Sequence, residues 1–272
     1  MIDIGVNLLH PQFAEDRDAV IARAAACGVE QMLITATDIN STRAAIQFCE
    51  SNQLFCTAGI HPHDAATADA DFASTLAELA SHPAVRAIGE TGLDFNRNYS
   101  PPTDQRRVFE TQIELAKRLH KPLFVHDRDS DGEVFELLSR ADAGSAGVVI
   151  HCFTGNRQDL QRYLEAGFYI GITGWVCDQR RGRQLQALLP EIPLDRLLLE
   201  TDAPFLIPPR IPPAVIDWPP EGVSRKHKRR NEPALLPVVA AAVADLLKIS
   251  RTELSTRTTT NARLLFDIPE PA

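Results

Sequence analysis

The stretch Leu123-Phe124-Val125-His126-Asp127-Arg128 is a short apolar run that ends in side chains able to bind a metal or a phosphate. Four other segments repeat this pattern along the chain: residues 59–63 (GIHPH), 89–94 (GETGLD), 149–153 (VIHCF) and 199–204 (LETDAP). Parallel strands in a barrel present their C-terminal ends at one face. The imidazoles and carboxylates of these five segments are therefore expected to converge on one cleft.

Short apolar runs alternate with longer amphipathic runs along the whole chain. Eight strands are predicted, at 2–8, 31–37, 55–61, 85–91, 122–126, 147–152, 168–173 and 196–201. Helices are predicted at 14–27, 41–52, 72–81, 103–119, 131–140, 156–166, 178–189 and 232–247. This alternation implies parallel strands with right-handed crossovers. Eight repeats predict an α/β fold of the (β/α)8 TIM barrel type, with residues 1–272 forming one domain.

Composition limits the possible partners and compartment. The net charge of −8 argues against tight coating of duplex nucleic acid, because that affinity comes largely from Lys and Arg. Any nucleic-acid contact should be local. The cysteine count of five is odd and contains no Cys-x-x-Cys pair, so reduced thiols in a cytoplasmic protein are expected. No stretch approaches the ~18 uncharged residues of a membrane span. We expect a soluble monomer without membrane contact.

Glu90, His126 and His151 form a mixed carboxylate and imidazole set at separate predicted strand ends. Such a set suits a metal ion and leaves positions open for water and a phosphate oxygen. The alternative is that the histidines are hydrogen-bonded core residues. No nucleophile elbow, phosphate-binding loop or dinucleotide fingerprint competes with this set. Aromatic residues make up only 6% of the chain, so an extended base-stacking platform is not expected and substrate should enter by one end.

Four motifs together carry a family resemblance: GExGLD at 89–94, HCFTG at 151–155, ETDAP at 200–204 and RNEP at 230–233. In this order they resemble the TatD family of metal-dependent deoxyribonucleases, within the amidohydrolase-like barrels, from residue 1 to about residue 266. The resemblance implies that Glu90, His126 and His151 hold a metal. It also implies that Asp202 binds a second metal and takes a proton from the attacking water. The alternative for Asp202 is a capping turn before Pro204, and Glu200 is a candidate for orienting a ligand.

The first strand departs from the family pattern. Many members carry His-x-His at its end, whereas this chain has Gly5 and Asn7 there. Glycine offers no ligand, and an amide oxygen suits Mg²⁺ better than Zn²⁺. A subset of the family departs in the same way. This chain most resembles a member that is a Mg²⁺-dependent 3′–5′ exonuclease acting on single-stranded DNA and also RNA. The expected cofactor is therefore Mg²⁺, with Mn²⁺ or Zn²⁺ as other candidates.

Three further side chains are predicted to bind substrate. His61 and His63 flank Pro62 and should point to one side, where they would contact the scissile phosphate or a weakly held extra ion. The alternative is that they stabilise a loop through hydrogen bonds. Arg128 should face the same cleft and grip a phosphate. The basic run 225–230 is a candidate clamp for a nucleic-acid strand, or an ordinary solvated loop. Cys152 is expected to point to the outer, helix-facing layer as an inert thiol.

The predicted activity is metal-dependent hydrolysis of phosphodiester bonds, by a 3′–5′ exonuclease on single-stranded DNA and possibly RNA. Asp202 would accept the proton of the attacking water, while Arg128, His61 and His63 would orient the phosphate. The alternative enzyme is a metal-dependent amidohydrolase or esterase, such as a deacylase of mischarged tRNA, because a barrel does not fix its substrate. A non-enzymatic scaffold with a relict metal site is a third reading.

Overall fold

The computed structural model describes residues 1–219 and 229–270. Its centre is a sheet of eight parallel strands in the order β1 to β8. The strands are β1 Ile2–Val6, β2 Gln31–Ile34, β3 Phe55–Ala58, β4 Val85–Asp94, β5 Leu123–Arg128, β6 Val148–His151, β7 Tyr169–Ile172 and β8 Leu197–Leu199. Beyond β8, a parallel bridge between Val6 and Ala203 joins the last segment to the first. This nearly closed barrel confirms the predicted (β/α)8 fold.

Nine helices lie in the described part of the chain: α1 Arg17–Ala26, α2 Ile39–Asn52, α3 Phe72–Ala80, α4 Pro102–Leu119, α5 Glu133–Arg140, α6 Arg157–Glu165, α7 Arg183–Leu188, α8 Leu236–Leu247 and α9 Arg251–Phe266. The helix predicted at 178–189 was too long, because the Asp178 carboxylate accepts hydrogen bonds from the backbone N–H groups of Arg180 and Arg181. That local turn competes with helix, which begins only at Arg183.

Helix α9 is absent from the sequence prediction. Its sequence, RTELSTRTTTNARLLF, is rich in Thr, which has a weak intrinsic preference for helix. The helix begins at Ser250, whose side chain accepts a hydrogen bond from the Glu253 backbone N–H. Its buried face includes Leu254, Ala262 and Phe266. The spacing of Ser250 and Glu253, typical of a helix start, was the available signal.

The core consists of three clusters, and two of them fix the orientation of the site. The larger cluster lies between the strands and the surrounding helices. The smaller one fills the barrel near the N-terminal ends of the strands, where Phe124, Val149 and Leu198 pack against Phe266 of α9. That end of the barrel is therefore closed by apolar side chains. A cleft that enters the barrel interior is therefore expected at the opposite, C-terminal end.

No single helix in the described ranges is long and apolar enough to cross a membrane. Residues 233–247 and 251–266 would reach that length and composition only as a pair, and they are bent by 111° relative to each other.

Candidate active site

A cleft of about 740 Å³ opens at the C-terminal ends of the strands. It is lined by all seven side chains that the sequence assigned to metal or substrate: His61, His63, Glu90, His126, Arg128, His151 and Asp202. The strand register explains part of this convergence, because His126 of β5 lies directly opposite His151 of β6. The predicted convergence is therefore seen in the structure.

The Glu90 carboxylate lies at the centre of the histidine group. Its Oε1 atom is 3.0 Å from Nδ1 of His126, 3.3 Å from Nε2 of His61 and 3.6 Å from Nε2 of His151. Glu90, His61 and His151 are all buried. One carboxylate oxygen thus faces three imidazoles inside a water-poor pocket, where electrostatic interactions are strong.

The charges of this group are strongly coupled. Burial disfavours an ionised Glu90, yet His61 and His151 hold its pKa well below the usual value. Burial also opposes protonation of His126, but the carboxylates of Asp94 and Glu90 raise its pKa to about 9. The pKa of His151 rises to about 10 because Glu200 and Glu90 outweigh its burial. At neutral pH these two imidazoles hold protons against the carboxylates.

The donor set fits a divalent cation. His61, Glu90 and His126 offer ligand atoms within 4.8 Å of one another, and so do His151, Cys152 and Asp202. Nε2 of His126 is buried and forms no hydrogen bond of good geometry, because its nearest acceptor, Oδ2 of Asp94, is 3.4 Å away. A buried imidazole nitrogen without a partner is unfavourable unless a ligand occupies that position. Mixed imidazole and carboxylate donors are also the types that bind divalent metals in proteins.

His61 was expected to contact the phosphate or a weakly held extra ion. Its ring is buried, and its Nε2 faces the Glu90 carboxylate, which places it in the donor group and agrees with the second of these readings. His61 and His63 do point to the same side, with ring centroids 4.3 Å apart. His63 is only half-buried, and its Nε2 lies 2.6 Å from Oδ2 of Asp94. Of the two, His63 is the one available to a substrate.

Glu200 lies just after β8 and contacts two neighbours of the site. Its Oε2 is 2.5 Å from Nδ1 of His151, and its Oε1 accepts a hydrogen bond of 2.6 Å from the Cys152 backbone N–H. The carboxylate fits between Gly5 and Gly171; a Cβ atom at Gly5 would lie 2.5 Å from Oε2. A Cβ atom at Gly171 would also overlap this carboxylate. The Glu200 carboxylate therefore leaves no space for a side chain at position 5, which explains the glycine there.

Asp202 is held by the first strand. Asn7 donates a hydrogen bond of 3.1 Å from Nδ2 to its Oδ1 atom, and the backbone N–H of Asp202 donates to the Gly5 carbonyl. Burial raises the pKa of Asp202 to about 7, with His151 opposing and Glu90 adding to this shift. The two residues that replace the family's His-x-His pair are thus both next to the site's carboxylates.

A buried carboxylate that sequence reasoning missed supports the turn that carries Asp202. Asp3 of β1 accepts a hydrogen bond of 2.9 Å from the Thr201 N–H and one of 2.5 Å from its hydroxyl. Asn231 donates to the carbonyls of Thr201 and Phe205. The charge inside the first apolar strand was the available signal for Asp3, because such a group is rarely buried without partners.

The prediction for Cys152 was wrong. Its side chain lines the cleft, and its Sγ atom lies 3.6 Å from the Thr173 hydroxyl. The backbone of Cys152 is left-handed, with φ of 47°. This conformation breaks the alternation of a strand, so counting residues outward from His151 gave the wrong face.

The clamp assignment was wrong for Arg230, and most of the basic run, residues 225–228, lies outside the described residues. Arg230 is 2% exposed and forms ion pairs with Asp16 at 2.8 Å and with Glu232 at 2.5 Å. A buried, paired guanidinium cannot reach a substrate strand. Arg128, in contrast, is exposed and lines the cleft as expected.

Comparison with known proteins gives a consistent family. The family model described as TatD related DNase matches residues 2–267. A protein of Pantoea vagans named 3′-5′ ssDNA/RNA exonuclease TatD is 47% identical over 268 residues, covering 98% of this chain and 99% of the relative. The protein of the same name from Salmonella typhimurium is 44% identical over 269 residues, with 98% and 99% coverage.

Solved structures agree on the fold. A TatD family hydrolase from Entamoeba histolytica superposes with a TM-score of 0.86 at 26% identity, covering 98% of this chain and 97% of that one. A TatD homologue from Escherichia coli superposes with a TM-score of 0.85 at 27% identity, with coverage of 99% and 98%.

Proposed function

The chain belongs to the TatD related DNase family, and from this premise we propose that it is a metal-dependent nuclease that removes nucleotides from the 3′ end of single-stranded DNA and also of RNA. The coverage supports transfer of the activity, because curated relatives with that name match 98% of this chain at 44% and 47% identity. Hydrolysis of a phosphodiester bond also suits a cleft that combines carboxylates, imidazoles and an exposed arginine.

The observation that carries the proposal is the environment of Glu90. A single carboxylate oxygen within 3.6 Å of three imidazole nitrogens is a donor cluster at the functional end of a barrel. We assign Glu90, His126, His151 and Asp202 as the residues that would hold the metal, with His61 as a further candidate. A divalent cation at such a site supplies charge neutralisation for phosphate oxygens and activation of water.

The chain's own side chains then have distinct roles. Asp202 is the general base: its carboxylate lies in the cleft, and the Asn7 amide fixes its position. Glu200 holds the His151 ring through Nδ1, and Asp94 lies beside both His63 and His126. Arg128 and His63 orient the phosphate from the open side of the cleft, and the His61 ring packs edge to face against that of His63.

Mg²⁺ is the ion we propose, with Mn²⁺ or Zn²⁺ as substitutes. The oxygen-rich side of the site supports Mg²⁺, because this ion prefers oxygen ligands. There the carboxylates of Asp202 and Glu200 and the amide of Asn7 lie close together. We also propose a cytoplasmic monomer of one domain, consistent with five free cysteines.

The test is a degradation assay on single-stranded oligonucleotides labelled at either end, with Mg²⁺, Mn²⁺, Zn²⁺ or EDTA. The expected result is a ladder that shortens from the 3′ end only when a metal is present. Parallel reactions with ester, amide and aminoacyl-tRNA substrates test the amidohydrolase or deacylase alternative. Turnover of those substrates without cleavage of oligonucleotides would refute the nuclease.

A further inference from the structure

We propose that Tyr99 and Phe205 are base-stacking residues, which bind unpaired nucleobases on the two sides of the scissile phosphate and so make the enzyme select single-stranded ends. This inference rests on the proposed nuclease function and adds the feature by which the enzyme would select single-stranded ends. In the described ranges, the large hydrophobic side chains exposed to solvent are Tyr99 at 65%, Phe205 at 46% and Leu264 at 72%. Two of these three line the same cleft.

The fold places the two rings on opposite sides of the cleft. Tyr99 lies in the loop after β4, and Phe205 lies in the segment after β8. Strands four positions apart in an eight-stranded barrel face each other across its axis. The centroid of the Tyr99 ring is 4.7 Å from that of His63, and the centroid of the Phe205 ring is 5.4 Å from that of His10, both edge to face. Each ring therefore packs edge to face with one histidine.

Solvent exposure of an aromatic ring has an energetic cost, because apolar surface is left in water. The neighbouring cations indicate which kind of ligand the rings would bind. Arg97, Arg128 and Arg181 are all exposed and line the same cleft, and Nη1 of Arg97 lies 3.3 Å from the Tyr99 hydroxyl. Cations for phosphates beside flat rings for bases are the combination found in single-strand binding sites. This local arrangement also explains how a chain of net charge −8 can bind a polyanion.

Stacking on a ring requires a base whose face is free. In a duplex, only the outer face of the terminal base pair is free, and every base further inside is covered on both faces. Rings on both sides of the scissile phosphate would therefore require the end to be unpaired and unstacked first. Two rings suffice for one or two bases, which agrees with the low aromatic content and with attack at a strand end. The selectivity for single strands would then arise from the exposed rings of Tyr99 and Phe205, separately from the chemistry around Glu90.

The experiment compares KM and kcat of wild type, Phe205→Leu and Tyr99→Leu with Mg²⁺ on short single-stranded oligonucleotides. Leucine keeps apolar volume and removes the ring. In Tyr99→Leu it also removes the hydroxyl that accepts from Arg97, and Tyr99→Phe tests that loss separately. Each substitution should raise KM by roughly 5- to 100-fold, the range expected for loss of one stacked base. The value of kcat should change little, because the lost interaction is present before and during the reaction. Phe205→Tyr and Tyr99→Phe should behave as wild type.

Substrates that lack one base near the 3′ end make the test specific. An abasic residue should weaken binding to the wild type, but it should have no further effect in the variant whose ring stacked on that base. The Leu264→Ala variant is the matched control, because this exposed side chain on α9 does not line the cleft. Melting temperatures should be equal throughout.

Two outcomes overturn the proposal and differ in meaning. If wild type degrades single strands but both leucine variants keep its KM, or if ring loss and base loss are fully additive, then the rings do not stack and the nuclease function stands. If wild type degrades no oligonucleotide, the nuclease function fails and this inference fails with it.

Discussion

The two ends of the barrel are built from the same strands but have opposite chemistry. Near the N-terminal end, Phe124 of β5 and Val149 of β6 belong to the apolar cluster that α9 covers. Two residues further along the same strands are His126 and His151, which lie in the cleft. Since side chains two positions apart point to the same face of a strand, a displacement of about 7 Å along the strand separates packing from chemistry.

This difference teaches that stability and activity can be changed separately. Apolar side chains fill the N-terminal end of the barrel, called the lower end below. At the C-terminal, upper end, buried carboxylates lie close together and their negative charges repel. Burial of carboxylates such as those of Asp202 and Glu200 costs folding free energy, because they lose their hydration; stability alone does not explain their presence.

The largest effect is expected for Asp202→Asn, at the upper end. The amide keeps the shape and an oxygen for Asn7, but it cannot accept a proton, so kcat should fall by roughly 100- to 10,000-fold. The free energy of unfolding should stay the same or rise, because one buried charge beside Glu90 and Glu200 is removed. Steady-state kinetics and thermal unfolding measure the two quantities. Activity within a few-fold of wild type would exclude Asp202 as the base.

The second prediction concerns Phe266→Ala, at the lower end. Removal of this fully buried ring should lower the free energy of unfolding by about 3–5 kcal/mol. The kcat of the molecules that remain folded should be unchanged. Urea denaturation and active-site titration measure these values. Leu264→Ala, on the same helix but exposed, should stay within about 0.5 kcal/mol. A loss of kcat in Phe266→Ala would show that the two ends are coupled.

The third prediction tests the space reserved for Glu200. In Gly5→Ala the new Cβ atom would collide with Oε2, so the carboxylate should move away from His151 and activity should fall by roughly 10- to 100-fold. Glu200→Gln should give a similar loss. The control is Gly144→Ala, where the nearest atom would be 3.5 Å away. If Gly5→Ala has wild-type kinetics while Glu200→Gln does not, the steric explanation for Gly5 is wrong.

The smallest effect is expected in the pH dependence of metal binding. His126 and His151 have pKa values raised to about 9 and about 10, so both carry protons at neutral pH when no cation is bound. A bound cation must displace such protons. Affinity for Mg²⁺ should therefore rise with pH, by up to about tenfold per pH unit for each proton released. Calorimetric titration in buffers of different ionisation enthalpy counts these protons, and a count of zero would contradict the assignment.

Local patterns were sufficient for the fold and for most of the site. The strand and helix alternation predicted the barrel, and His126 and His151 could be assigned because a regular strand fixes the direction of every second side chain. Helix α9 was missed because its polar, Thr-rich sequence forms a helix mainly through packing of Leu254, Ala262 and Phe266 against the barrel. That packing is a long-range contact and leaves little trace in the local sequence.

The sequence by itself determined which side chains stand at the ends of the strands, because strand periodicity and parallel topology are local rules that add up along the chain. Only the tertiary structure decided how those side chains pair. The Glu200 carboxylate depends on the space left by Gly5 and Gly171, which come from two other strands. Arg230 is buried because Asp16, 214 residues earlier, meets it in space. Such contacts depend on distances between remote segments, and no local pattern encodes these distances.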